Sequence, residues 1–261
     1  MTKAPATPLD VKLMNATASV LFVLFGLMLV GALALWAMRQ PVFSIHGITV
    51  AGELTHSNAL TLRANVAPRL SGTFFSVDLE RTKLAFEAVP WVRLAVVHRD
   101  YPNRLKVTLQ EHRAVAYWGV EGESRLLNNF GEVFEANLGE VEQEALPHLN
   151  GPDGQAAQVL AMYQAQLPLF EAMDLTLEQL ELTAHGGWRA RLDSGAEIEL
   201  GAGSVAEVVA RTQRFLKTLT QVTSRYGRKP DALETADLRH EDAYAIRLRG
   251  VTTLAASGQK K

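Results

Sequence analysis

The residues best equipped for chemistry in this chain lie at Gly201-Ala202-Gly203-Ser204-Val205-Ala206. They match G-x-G-x-x-A, the turn that sets a pyrophosphate against the N–H groups opening a helix. The surroundings do not fit that use. The strand before the turn, Ala196-Glu197-Ile198-Glu199-Leu200, alternates charge with hydrophobe, whereas a central parallel strand of a nucleotide fold is apolar on both faces. Where a ribose-binding acid would end the next strand, the chain reads Gln221 to Arg228. Two glycines in a tight turn account for the match.

The other reactive side chains are scattered. His46, His56, His98, His112, His148, His185 and His240 show no H-x-x-x-H spacing and no paired acid, so they read as polar residues rather than metal ligands. Ser194 stands in Asp-Ser-Gly, a turn, and not in a nucleophile elbow. Glu197 and Glu199 share one exposed strand face with nothing to perturb them. The absence of cysteine excludes disulfides, thiolate metal sites and thiol nucleophiles. The expectation is a protein with no catalytic residue, no metal and no cofactor.

The elements that hold these residues begin with a membrane anchor. In 261 residues the mean hydropathy is near zero, but that average hides two regions. No charge occurs from Leu13 to Met38, and 19 of the 23 residues from Ala16 to Met38 are hydrophobic. At ~1.5 Å per residue this segment crosses a ~30 Å hydrocarbon layer. It exceeds the ~7–15 residues of a signal h-region, so a transmembrane helix over 16–38 is expected despite the small-x-small site at Ala32-Leu33-Ala34. Lys3 and Lys12 precede the span, and beyond Arg39 the next basic residue is Arg63. This favours a cytoplasmic tail over 1–15 and export of the rest. Setting Lys3, Lys12 and Arg39 apart from the 26 basic residues, and Asp10 from the 28 acidic ones, leaves 23 against 27. A net charge of −4 argues against binding nucleic acid or anionic lipid.

After the span, Phe43 to Gly52 reads as a strand. Ser57-Asn58 can cap a helix carrying Leu60, Leu62 and Val66, and Asp78 a second one ended by Pro90. Trp91 to His98 is strand-like, Tyr101-Pro102-Asn103-Arg104 is a turn, and Leu105, Val107 and Leu109 alternate with polar residues. The order is β-α-α-β-β. Beyond Trp118 the pattern is β-rich, with a hairpin at Asp193-Ser194-Gly195 and two helices. One helix runs from about Gln155 and should stop at Pro168. The other starts at the capping box Ser204-x-x-Glu207, with Arg211, Arg214 and Lys217 on a face that reads as solvated.

The chain ends in a segment, Asp237 to Arg249, whose alternation is clear from Tyr244 onward and which is expected to be one strand at a sheet edge. An edge offers free N–H and C=O groups to a partner strand. Arg247 and Arg249 are equally the ordinary charges that block edge aggregation, and the pattern alone leaves the two readings level.

A strand of the type FSIHGITVAG just after a span resembles a POTRA domain. GTFFSVDLE, AVPWVRLAVVHRDYPNRLKVTLQEHRAVAYW, Asn150-Gly151-Pro152-Asp153-Gly154 and Ala236-Asp237-Leu238-Arg239, in that order, resemble the FtsQ/DivIB family of bacterial division proteins. The chain departs from that family's common pattern at Ala114, Ala202, His240 and Asp242-Ala243. The resemblance implies a POTRA domain over 43–112, a mixed antiparallel β domain with helices over 113–250, and a disordered tail over 251–261. It further implies a non-enzymatic scaffold of the inner membrane at the septum, its exported domains periplasmic, binding FtsB and FtsL. FtsB would add a strand at the last strand, against Arg239, His240, Ala243, Tyr244, Ala245 and Arg247. The competing readings are a membrane-anchored periplasmic cell-wall enzyme, for which no catalytic constellation is present, and a POTRA-bearing barrel transporter. The ~140 residues after the POTRA segment, two helices included, are too few for such a barrel.

Overall fold

The computed structural model describes residues 9–38, 40–120, 122, 125–141, 146–240 and 243–251. It comprises two compact units, Met1–Glu111 and His112–Lys261. The first opens with helix α1, Leu9–Met38. Its apolar stretch, Asp10–Met38, is long enough to cross a membrane. The helix begins well before the apolar core at Ala16, inside the residues expected to form a tail, and Asp10 in its first turn complements the positive end of the helix dipole.

The rest of this unit is β1 (Gly47–Glu53), α2 (Ala59–Val66), α3 (Leu79–Glu87), β2 (Val92–Asp100) and β3 (Arg104–Glu111). The three strands lie in the order β1-β3-β2, with β1 parallel and β2 antiparallel to β3. Both expected caps are present. The Asn58 side chain accepts from the Thr61 N–H at 2.8 Å, and Asp78 accepts from Glu80 and Arg81 at 3.0 and 3.1 Å. Leu62 and Val66 of α2 and Phe86 of α3 pack with Val92, Ala95, Val107 and Leu109 of the sheet. Leu60, expected on the apolar face, is exposed. Gly52 has φ +128°, and a Cβ there would meet the Leu109 carbonyl oxygen at 2.1 Å, so only glycine fits.

Among its described residues, the second unit is one nine-stranded sheet with two α-helices on one face. Its strands are β4 (Ala114–Trp118), β5 (Arg125–Asn128), β6 (Val133–Glu135), β7 (His148–Asn150), β8 (Leu177–Leu182), β9 (Gly187–Leu192), β10 (Glu197–Ala202), β11 (Leu233–Asp237) and β12 (Ala245–Leu248). The order is β12-β11-β10-β9-β8-β7-β4-β5-β6, with parallel pairs at β10–β11, β4–β7 and β7–β8. Helices α4 (Ala156–Glu171) and α5 (Val205–Arg225) supply Val159, Met162, Phe170, Phe215 and Leu219 to a core shared with Trp188, Leu180 and Ile198. The opposite face is polar: Arg189 bridges Glu199 at 2.8 Å and Glu181 at 3.5 Å across three strands.

Helix α4 does not stop at Pro168 but continues to Glu171. Proline removes one N–H near the helix end, and the fully buried Phe170 holds the last turn against the core. The final segment also differs. It is not one strand from Asp237 to Arg249 but the end of β11, a connection, and β12. The Asp237 carboxylate accepts the Arg239 N–H at 3.0 Å, an Asx turn that breaks the extended chain. Residues Glu241 and Asp242 of the expected strand, and 252–261 of the expected tail, lie outside the described residues. Val251 packs against the core.

Candidate partner-binding edge

Strand β12 is one of the two outer strands of the large sheet, and its only neighbour among the described residues is β11. Its exposure alternates: Ala245 and Arg247 are exposed, Ile246 is half-buried and Leu248 buried. The direction of its backbone groups follows from two hydrogen bonds. The Arg249 N–H donates to the Ala232 carbonyl at 2.8 Å, toward the β11 side. On β11, the Leu238 N–H donates to Glu199 of β10 at 2.8 Å, so Asp237 faces β12 and its register partner Ala245 faces back. Ala245, Arg247 and Arg249 therefore turn inward, while Ile246 and Leu248 turn N–H and C=O to the open side. The Leu248 carbonyl accepts the Val251 N–H at 3.2 Å, which, among the described residues, leaves the Ile246 N–H, the Ile246 C=O and the Leu248 N–H for a partner strand.

A groove of about 240 Å³ runs beside this edge, lined by Arg211, Arg214, Phe215 and Thr218 of α5 and by Leu238, His240, Ala243 and Tyr244 of the connection. Tyr244 is fixed in it. Its hydroxyl lies 2.5 Å from Thr218 Oγ1 and its ring meets Phe215 edge-on at 5.1 Å. Of the six residues singled out in the sequence, Ala245 and Arg247 are on β12, and His240, Ala243 and Tyr244 line the groove. Arg239 is exposed and engaged with Asp237, its Nη2 at 2.6 Å from Oδ2. The Arg239 hydrogen bond, against a smaller cost of burial, pulls the Asp237 carboxyl down to about 2. Arg247 stands 3.8 Å from Glu234 of β11.

Sequence reasoning missed Ile246 and Leu248 as the residues with outward backbone groups, and it missed the groove face of α5. The i, i+3 spacing of Arg211 and Arg214 was the available signal. Arg211 is half-buried, not a solvated charge. Its guanidinium donates to the carbonyls of Leu200 and Ala202, the second at 3.3 Å, and so stands at the glycine turn.

That turn does connect parallel strands through a helix, β10-α5-β11, but the helix start is occupied by its own side chain. Glu207 accepts the Ser204 N–H at 2.8 Å, and Ser204 Oγ accepts the Glu207 N–H at 3.4 Å. A carboxylate already sits where a phosphate would bind.

Residues 43–112 match the family model for the POTRA domain, FtsQ-type, and residues 116–239 match that for Cell division protein FtsQ/DivIB, C-terminal. The chain belongs to the FtsQ/DivIB family. Cell division protein FtsQ of Burkholderia pseudomallei is 37% identical over 253 residues, covering 97% of this chain and 98% of that protein. The FtsQ of Thiomonas arsenitoxydans is 37% identical over 246 residues, 94% of this chain and 89% of that one. The FtsQ of Bordetella pertussis is 31% identical over 268 residues, 96% of each. The β1-α2-α3-β2-β3 unit is thus an FtsQ-type POTRA domain; the groove residues from Arg211 to Leu238 lie within the FtsQ/DivIB C-terminal match, and His240, Ala243, Tyr244 and β12 lie past its end.

Proposed function

We propose that this division protein is a non-enzymatic scaffold held by α1, with its amino terminus in the cytoplasm and both folded units in the periplasm at the septum. It binds a segment of FtsB, and with it FtsL, by strand addition to β12. The observation that carries this reading is the pair of outward-facing residues, Ile246 and Leu248, on an outer strand of a family built for cell division. Main-chain hydrogen bonds supply affinity there, and side chains supply specificity. Ala243 leaves room for a close partner backbone, Ala245 opens β12 itself, Arg247 contacts an acidic side chain on the partner, and His240 and Tyr244 receive the residues flanking its strand. Arg239 holds the Asx turn that starts the connection. The orientation rests on Lys3 and Lys12 before the span.

Two experiments test this. Depletion should yield filaments without septa; normal division would refute the septal role. Co-purification of FtsB with the full-length chain should be lost in Ile246→Pro, and an unchanged yield would place the partner elsewhere.

A further inference from the structure

The POTRA unit carries an apolar collar at one end. Strand β1 begins there, β2 ends and β3 begins, since Gly47 and Asp100 are both register partners of Arg104. The same end meets the last residues of α1. Thr73 Oγ1 donates to the Met38 carbonyl at 3.1 Å, and the Phe74 N–H donates to the Phe43 carbonyl at 2.8 Å. Here Phe43 packs edge-on against Phe75 at 5.1 Å, Phe75 against Phe74 at 5.3 Å, and Phe74 against Tyr101 at 6.4 Å. Phe74 at its centre is buried, but the residues around it are not: Val42 is 75%, Phe75 43% and Tyr101 82% exposed. Its loop is held rigid by Arg99 of β2, whose Nε donates to the Phe74 carbonyl and whose Nη2 donates to that of Val77, both at 2.8 Å.

Apolar side chains this exposed, gathered around one buried ring, mark a surface that something covers. Tyr and Phe rings beside the end of an apolar helix have the chemistry of the lipid interface, where a ring body lies among acyl chains and a hydroxyl stays wet. Continuity with α1 identifies the occupant, because the collar starts at Val42, within four residues of the helix end at Met38. We infer that Val42, Phe75 and Tyr101 rest in the headgroup region of the bilayer that α1 crosses, so that the POTRA unit stands on the membrane in a defined orientation rather than swinging from a tether. This rests on α1 being a membrane span.

The chain has no cysteine, so single cysteines give unique labelling sites. Spin labels are placed in the full chain at Val42→Cys and Tyr101→Cys, both exposed. Further labels go at Leu94→Cys, exposed near the opposite end of the sheet, and at Leu27→Cys in the middle of α1. Each variant is reconstituted in phosphatidylcholine nanodiscs, and collision with dissolved oxygen is compared with collision with a water-soluble nickel chelate. At positions 42 and 101 the ratio of oxygen to nickel collision should lie between the high value at 27 and the low value at 94, with nickel collision clearly below that at 94 and oxygen collision above it. Nickel collision at 42 and 101 equal to that at 94, with 27 still in lipid, overturns the inference and leaves the span intact. Protection from nickel without gain in oxygen would mean a protein covers the collar, and overturns it also. A water-exposed label at 27 would refute the span itself.

Discussion

Replacing Ile246 with proline separates the partner edge from the fold that carries it. In β12 the Ile246 N–H points away from β11, so proline there leaves the ladder to β11 intact. The folded state loses part of a half-buried side chain, about 1 kcal/mol. In the complex, proline removes one of the three available edge groups, worth about 0.5–1.5 kcal/mol, and its ring occupies the space of the partner carbonyl. The combined loss of about 1.5–3 kcal/mol weakens binding roughly 10–100-fold. The comparator is Arg247→Pro. Its N–H faces Thr235 across the ladder, so this change costs about 1–3 kcal/mol of stability and lowers the denaturation midpoint. Binding of a purified FtsB segment to the full-length chain in detergent, by calorimetry, supplies the affinity, and thermal denaturation supplies the fold. A folded Ile246→Pro protein that binds within twofold of the parent would refute the reasoning. So would equal stability losses in the two variants, because the alternation of backbone direction would then be wrong.

Four further outcomes are expected. Tyr244→Phe removes the hydroxyl 2.5 Å from Thr218 and should cost about 1 kcal/mol in denaturant titration, whereas no change would mean that water replaces the bond fully. Trp188→Ala, at a side chain 1% exposed in the centre of the large core, should cost about 3–5 kcal/mol in the same assay. Gly52→Ala should lower the POTRA unit's stability by more than the usual glycine-to-alanine change, with the loss visible as faster hydrogen exchange at Gly52 and Leu109. In acid, the ordinary Asp237 value of 3.8 and the folded value of about 2 set the window. Its contribution is complete above 3.8 and lost as pH falls through about 2. Because this group is still reached by water, solvent screening holds the effect to at most about 1 kcal/mol, and Asp237→Asn should flatten that part of the pH–stability curve.

Glu111 acts in the same sense in the other unit. Burial would raise its carboxyl, but the Ser57 hydroxyl beside it and the N–H groups of His56, Thr55 and Ser57 outweigh that and hold it below the usual carboxylate range. Its stabilising effect is therefore present above the ordinary carboxylate value and fades below it. The loop from Thr55 to Ser57, which leads into α2, is tied to the end of β3 by this one side chain.

What could be read from the sequence were the features set by neighbouring residues. The span follows from an uncharged run of sufficient length, the starts of α2, α3 and α5 from Asn58, Asp78 and Ser204, and the wet and dry faces of β3 and β9 from strict alternation. Each depends on side chains within a turn or two of one another, where local sterics and hydrogen bonds decide. The end of the chain shows the limit. The alternation from Tyr244 onward was legible, but the Asx turn at Asp237 was not, because it requires the aspartate side chain to prefer a nearby N–H over solvent. Only the tertiary structure placed β11 between β10 and β12, making β12 an outer strand and turning Ile246 outward. It likewise brought Arg211 to the glycine turn and assembled the aromatic collar from residues as far apart as Phe43 and Tyr101. These arrangements depend on which distant strands pair and in what register, and a one-residue slip, invisible in composition or spacing, reverses every inward and outward group.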